Sequence, residues 1–205
     1  MKYGSLRDIL SNQRIPLSFA LKIKIAYEVA KGLKYLHSND PVVVHRDLKA
    51  ANILIGEVVE SGKWYDIFPN HYLRKEADNE SQRTMESEWK PKPALTSYLR
   101  TNINRSVENL SVRLCDFGLS STLDRSFLLS TRCGSPAWIA PEVMAGKKYD
   151  QRIDIYAFGI VMWEIMERGV PFQNETTSVV DLITKVCEYS LRPKFKAKLP
   201  LETEE

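Results

Sequence analysis

Residues 42–54 read VVVHRDLKAANIL, an apolar run followed at once by closely spaced polar side chains. Asp47, Lys49 and Asn52 lie within six positions. The apolar runs on either side, 42–44 and 52–55, predict two short strands. The stretch therefore predicts a loop between strands that brings a carboxylate, an ammonium group and an amide against one substrate.

Phosphoryl transfer from a nucleotide requires the groups that this loop offers. The reaction depends on in-line positioning of the hydroxyl, on divalent metal at the phosphates and on positive charge near the moving group. Asp47 can accept the proton of the attacking hydroxyl, and Lys49 can neutralise charge on the transferred phosphate. Asn52 can bind Mg²⁺ through its amide oxygen, and Asp116, in CDFG, adds a carboxylate for the metal.

Three motifs follow one another in a fixed order, and a fourth segment continues them. They are HRDLKAAN at 45–52, DFG at 116–118, GSPAWIAPE at 134–142 and YDQRIDIYAFGIVMWEI at 149–165. One three-letter match would be weak, whereas ordered motifs are specific. Together they resemble the eukaryotic protein kinase family.

The resemblance covers about residues 1–56 and 111–195, and it implies an α+β fold. The implied structure is the C-terminal lobe of a kinase from the hinge onward, mainly α-helical, with a short β-hairpin at the catalytic loop and DFG. We interpret residues 1–205 as one partial kinase domain that is interrupted by a polar, flexible insertion at 57–110. The glycines form no G-x-G-x-x-G, and the strand Lys and helix Glu of the N-terminal lobe have no counterpart, so we expect that lobe to be absent.

Two longer helices are predicted from hydrophobic patterning. Apolar residues recur every four positions from Leu21 to Leu33, which predicts a long amphipathic helix after Pro16. The segment 153–166 is apolar on most sides but too short to cross a bilayer, and it contains Asp154 and Glu164. It predicts a buried helix, and a weaker pattern predicts another helix near 176–188.

The resemblance implies a nucleotide site with Mg²⁺ and ATP as cofactors. The segment from Met1 to Ser5 would be the hinge, whose backbone faces the adenine edge, and Leu54 would lie under the adenine ring. Lys49 would contact the phosphates, while Asn52 and Asp116 would bind the metal.

The resemblance also implies regulatory and substrate-binding residues. Arg46 would pair with a phosphorylated activation loop. Thr131 is the expected phosphorylation site, Ser130 and Ser126 are second choices, and an unmodified hydroxyl is the alternative. Ser135 would form part of the pocket for the residue after the phosphoacceptor, and Asp154 would hold the backbone of the catalytic loop. His45 and Phe117 would be internal packing residues.

The implied function is transfer of the ATP γ-phosphate to a protein serine or threonine. Lys49, two positions after Asp47, and GSPAW resemble the serine/threonine pattern. HRDLKAAN together with WIAPEV resembles the tyrosine-kinase-like group. The alternative is a non-catalytic, pseudokinase-like binding or regulatory module. Without the N-terminal lobe we expect the isolated chain to be weak or inactive.

The composition indicates which kinds of molecule the protein binds and in which compartment we expect it. The net charge of +3 is too small to favour nucleic acid as the main partner. Three cysteines do not make a disulfide framework, and the first residues lack an apolar signal-peptide core. We therefore expect a cytoplasmic protein without a membrane span, whose partners are ATP and a protein substrate.

Overall fold

A computed structural model describes residues 3–57, 110–123 and 133–196. The helices are α1 (Leu6–Ser11), α2 (Phe19–His37), α3 (Pro141–Met144), α4 (Arg152–Glu167) and α5 (Val179–Glu188). The strands are β1 (Val42–Val44), β2 (Ile53–Glu57), β3 (Leu110–Leu114) and β4 (Ser121–Leu123), and Ala50–Asn52 and Pro136–Trp138 form 3₁₀ turns. Helices with two small antiparallel sheets are compatible with the predicted α+β class.

Helix α2 is the long amphipathic helix predicted from the four-residue repeat. Ser18 caps its first turn, because the hydroxyl accepts a hydrogen bond from the backbone N–H of Leu21. One face is buried throughout the helix, at Leu21, Ile25, Ala26, Val29, Leu33 and Leu36. This face forms most of one wall of the main core, against α4 and β3.

Helix α4 is buried along most of its length, as its apolar sequence predicts. Ala157, Val161 and Ile165 join the core that α2 also lines, while Ile160 packs in a second cluster with Phe172 and α5. Backbone N–H groups of the loop 45–52 donate to Asp154 and Glu164, so α4 lies beneath this loop. Within the three described stretches, no helix combines the length and apolarity needed to cross a bilayer.

The two sheets bring the first and second motif together. Strand β1 pairs antiparallel with β4, with Val44 opposite Ser121, and β2 pairs antiparallel with β3, with Ile53 opposite Leu114. The loop 45–52 connects β1 to β2, and the loop around DFG connects β3 to β4, so the two loops meet between the sheets. Glu57 lies opposite Leu110; residues 58–109, most of the predicted insertion, lie outside the described residues.

Helix α1 was not predicted from the sequence. The Ser5 hydroxyl accepts from the Asp8 N–H, and the Asp8 carboxylate accepts from the Ser5 N–H, which makes a capping box. Arg168, at the end of α4, fixes α1 in place. Its guanidinium donates to four backbone carbonyls, those of Ile9, Leu10, Asn12 and Ile15.

Candidate active site

Asp47 is the centre of a hydrogen-bonded cluster that joins two distant segments. One carboxylate oxygen accepts from Lys49 Nζ at 2.7 Å and from Asn52 Nδ2 at 3.0 Å. The other accepts from the backbone N–H and the hydroxyl of Ser135, at 3.0 and 2.9 Å. Lys49 Nζ also donates to the Ser135 hydroxyl at 2.7 Å. The structure therefore brings together four of the residues that were named from the sequence.

The Asp47 carboxylate is held in its charged form. Only 7% of the residue is exposed, and this burial alone would raise its pKa. Hydrogen bonds from Lys49 and Ser135, with the charge of Lys49, outweigh burial and hold the pKa of Asp47 below its usual value. A buried carboxylate that stays ionised at neutral pH can accept a proton when a hydroxyl reacts beside it.

The backbone of the loop 45–52 is anchored from below by Asp154 of α4. The Asp154 side chain is 1% exposed, and its oxygens accept from the backbone N–H groups of His45 and Arg46 at 2.8 and 2.9 Å. These contacts agree with the predicted role of Asp154. His37 Nε2 lies 2.9 Å from the same carboxylate.

The His45 imidazole connects this loop to the DFG loop. Its Nε2 lies 3.0 Å from the Cys115 carbonyl oxygen, and its ring centre lies 5.0 Å from that of Phe117. Burial lowers the pKa of His45, so the ring is neutral at pH 7. The N–H at Nε2 then donates to Cys115, and His45 packs internally as predicted.

Asn52 and Asp116 supply oxygen atoms that suit Mg²⁺. Both hydrogen bonds of the Asn52 side chain use Nδ2, to the carbonyl and carboxylate of Asp47, so Oδ1 is left for a cation. The Cys115 N–H donates to the Asn52 carbonyl at 2.9 Å, which places the start of DFG beside Asn52. Asp116 is exposed and has a positive φ of 62°.

One amide oxygen and one carboxylate are too few ligands for a metal ion that is held by protein alone, but they suit Mg²⁺. Mg²⁺ usually takes one or two protein ligands and completes its shell with phosphates and water. In the described part of the chain, no group of three or more His, Cys, Asp or Glu could hold a metal ion. The donor set thus matches a metal that arrives with a nucleotide.

Two of the predicted adenine-site residues are neighbours. Ser5 and Leu54 form an isolated antiparallel bridge, and the flanking hydrogen bonds run from Tyr3 N to Ile55 O and from Ile55 N to Gly4 O. The segment 3–5 therefore runs along β2, just beyond Asn52. Met1 lies outside the described residues.

Arg46 and Gly134 form the contact between the catalytic loop and the segment before Ser135. Gly134 has φ of 107°, and a Cβ there would lie 2.7 Å from the Arg46 carbonyl oxygen, so this position requires glycine. Burial raises the pKa of Tyr149, and the nearby charge of Arg46 opposes that effect. Thr131, the predicted phosphorylation site, lies outside the described residues.

Comparisons with known proteins place this site in a family. The sequence profile of the family described as protein tyrosine and serine/threonine kinase matches residues 1–200. The chain belongs to this protein kinase family. Over 172 residues, 84% of the chain, it is 33% identical to a putative serine/threonine-protein kinase/receptor R831 of Acanthamoeba polyphaga mimivirus. It is 31% identical, over the same share, to the probable serine/threonine-protein kinase drkA of Dictyostelium discoideum.

The kinase-family chain spans only a small part of these relatives. It covers 7% of the mimivirus protein and 19% of drkA. It is also 32% identical over 172 residues to the cyclic GMP-binding protein C of Dictyostelium discoideum, where it covers 5% of the length. The family match extends over nearly all of these 205 residues, and most of each relative lies beyond it.

Glu164 is a polar residue of the kinase core to which sequence analysis gave no role in the site. It is 5% exposed on α4, and its Oε2 accepts from the Trp138 indole N–H at 2.8 Å and from the Ala50 N–H at 3.2 Å. Burial raises its pKa to about 7, although both hydrogen bonds and the charge of Arg7 oppose the shift. In the sequence, Glu164 is a charged residue inside an apolar segment. This pattern predicts a buried hydrogen-bond partner but does not identify the partner.

The raised pKa of Glu164 predicts a pH-dependent stability. A carboxyl group whose pKa is higher in the folded than in the unfolded state stabilises the fold fully only below its unfolded pKa, and this contribution is lost as the pH rises through about 7. Glu164→Gln keeps an acceptor oxygen but does not titrate. We expect its free energy of unfolding, relative to the wild type, to rise by about 2–3 kcal/mol from pH 5 to pH 8.

Urea unfolding followed by tryptophan fluorescence at several pH values measures this difference. Glu167→Gln, the same change on the same helix, controls for the effect of the substitution itself on unfolding in urea. A flat difference for Glu164→Gln would contradict the raised pKa.

Proposed function

We propose that the chain is the catalytic part of a serine/threonine protein kinase that transfers the γ-phosphate of ATP to a protein hydroxyl. The observation that carries the proposal is the cluster in which Asp47 accepts hydrogen bonds from Lys49, Asn52 and Ser135. Its charges and geometry suit phosphoryl transfer, because that reaction needs positioning and electrostatic stabilisation more than covalent chemistry.

In this proposal Asp47 is the general base. The hydroxyl of the protein substrate takes the place that the Ser135 hydroxyl occupies at the Asp47 carboxylate, and Asp47 accepts its proton as the phosphate is transferred. Lys49, 2.7 Å from both Asp47 and Ser135, is close enough to neutralise charge on the transferred phosphate. Ser135 is released from Asp47 and contacts the next residue of the substrate.

The nucleotide would lie between the segment 3–5, strand β2 and the DFG loop. Asn52 Oδ1 and the Asp116 carboxylate would hold Mg²⁺, which would supply positive charge at the phosphates. Ser5 and Leu54 would face the adenine. Arg46 would bind a phosphate on the activation loop, with Thr131 as the proposed site.

We further place the chain in the tyrosine-kinase-like group and match its residues to the larger, C-terminal lobe of a kinase domain, with an insertion at 57–110. Cys115, Cys133 and Cys187 are free thiols, which supports a reducing, cytoplasmic environment. These 205 residues contain no G-x-G-x-x-G loop to cover the phosphates, so we expect weak nucleotide binding by them alone.

The test is a phosphorylation assay with a mixture of protein substrates, Mg²⁺ and radiolabelled ATP. It compares the 205-residue chain with the parent protein, meaning the longest natural protein that contains these residues. We expect the parent to produce mainly phosphoserine and phosphothreonine, and the 205-residue chain to show little transfer and little thermal shift with Mg-ATP.

Two results would count against the proposal. Phosphotyrosine as the main product would remove the serine/threonine assignment. A parent protein that is folded yet transfers no phosphate to any substrate would favour the binding or regulatory module.

A further inference from the structure

One carboxylate oxygen of Glu164 contacts both segments that build the Asp47 cluster. It accepts from the Ala50 backbone N–H and from the Trp138 indole N–H. Ala50 directly follows Lys49, and Trp138 ends the 3₁₀ turn that begins after Ser135. The Trp138 backbone N–H donates to the Ser135 carbonyl at 2.9 Å, so Trp138 and Ser135 belong to one hydrogen-bonded turn.

The contact joins parts of the chain that are otherwise far apart in sequence. Ala50 and Glu164 are separated by 114 positions, and Trp138 and Glu164 by 26. Asp154, on the same helix, holds only the first part of the catalytic loop, at His45 and Arg46. Glu164 therefore fixes the second half of that loop and relates it to the turn that carries Ser135.

The surroundings of Glu164 allow its removal without collapse of the core. Glu164 and Trp138 line a cavity of about 180 Å³, together with Arg7 of α1 and Arg168 at the end of α4. The Arg168 guanidinium is already used by four carbonyls of the α1 region. If Glu164 were shortened, water could hydrate the freed N–H groups, so the chain would fold but the two segments would lose their fixed link.

We infer that Glu164 is a positioning residue that sets the distance between the catalytic loop and the Ser135 turn, and so keeps Lys49 and Ser135 in contact with Asp47. This inference rests on the proposed function, in which Asp47 and Lys49 face the reacting groups. Glu164 acts through Ala50 and Trp138 and does not touch the substrate. Glu164 must supply an acceptor oxygen, because the Ala50 and Trp138 N–H groups both donate to its Oε2.

Three variants separate this role from general stability. Glu164→Ala removes the acceptor, Glu164→Gln retains a carbonyl oxygen of the same reach, and Trp138→Phe removes only the indole donor while keeping an aromatic ring. The first readout is hydrogen exchange at the Ser135 amide, which donates to Asp47. It is compared with exchange at Val29 in the buried face of α2, and it requires only the 205-residue chain.

We expect exchange at Ser135, relative to Val29, to rise about 10-fold in Glu164→Ala and in Trp138→Phe and to change less than about 3-fold in Glu164→Gln. Combining Glu164→Ala with Trp138→Phe should add little, because both remove the same bond. Equal acceleration at Ser135 and Val29 would show a merely structural role and overturn the inference. Failure of Gln to restore slow exchange would also overturn it.

The second readout is turnover by the parent protein. We expect Glu164→Ala to lower kcat about 10-fold with KM for ATP unchanged, and Glu164→Gln to restore it. A parent that transfers no phosphate would count against the proposed function, while the exchange measurement would still decide the role of Glu164. Normal turnover in Glu164→Ala would overturn the inference and leave the kinase proposal standing.

Discussion

Asp47→Asn is expected to lower kcat of the parent protein by about 100- to 10,000-fold, the usual contribution of a general base. The amide cannot accept a proton at neutral pH, so the substrate hydroxyl must lose its proton to water. KM for ATP should change little, because in the proposed site Asp47 faces the protein substrate. Steady-state assays with a peptide or protein substrate measure both constants.

The controls must separate lost chemistry from lost folding. Each oxygen of Asp47 accepts two hydrogen bonds, so the NH₂ group of Asn meets donors whichever way it is turned. This mismatch should reduce the free energy of unfolding by about 1–3 kcal/mol, and assays must therefore be run below the unfolding temperature of the variant. Asp150→Asn, which removes a surface ion pair with Arg152, is the matched change away from the site. Unchanged turnover in folded Asp47→Asn would remove the base assignment.

The sequence predicted the parts of the site that lie within one short segment. Asp47, Lys49 and Asn52 lie on one loop, so their contacts depend on local geometry and on the strands at each end. The contacts of Ser135 with Asp47 and Lys49 span 88 and 86 positions. Sequence analysis placed Ser135 in a substrate pocket through the family resemblance, and its bonds to Asp47 required the tertiary structure.

What sequence analysis missed has particular physical reasons. Helix α1 has six residues, too few for a hydrophobic repeat, and it is held by Arg168 from more than 150 positions away. Glu164 was recognised as a charge in an apolar helix, but its partners depend on how α4 is rotated against two loops. A buried charge predicts that a donor exists, and only the packed structure identifies the donor.

The largest loss of stability is expected from Asp154→Ala. The Asp154 carboxylate accepts from the N–H groups of His45 and Arg46 and contacts Nε2 of His37, and it is almost completely buried. Its removal leaves these donors unpaired in a site that water enters poorly. Because each unpaired buried group costs about 1–3 kcal/mol, we expect the free energy of unfolding to fall by about 3–5 kcal/mol. Chemical denaturation of the 205-residue chain measures this fall.

Asp154→Asn should have an intermediate effect, because its one carbonyl oxygen can still accept from one of the two backbone N–H groups. Asp181→Ala, in the first turn of α5, is the control; it removes an ion pair with Lys185 that solvent screens and a hydrogen bond from the Thr177 backbone N–H, so its effect should be smaller than that of Asp154→Ala. If Asp154→Ala destabilised the chain no more than Asp181→Ala, the backbone of the catalytic loop would have to be held by other contacts. We expect the free energy of unfolding to rise from Asp154→Ala to Asp154→Asn to the wild type. This order would show that Asp154 supports the loop on which Asp47 lies.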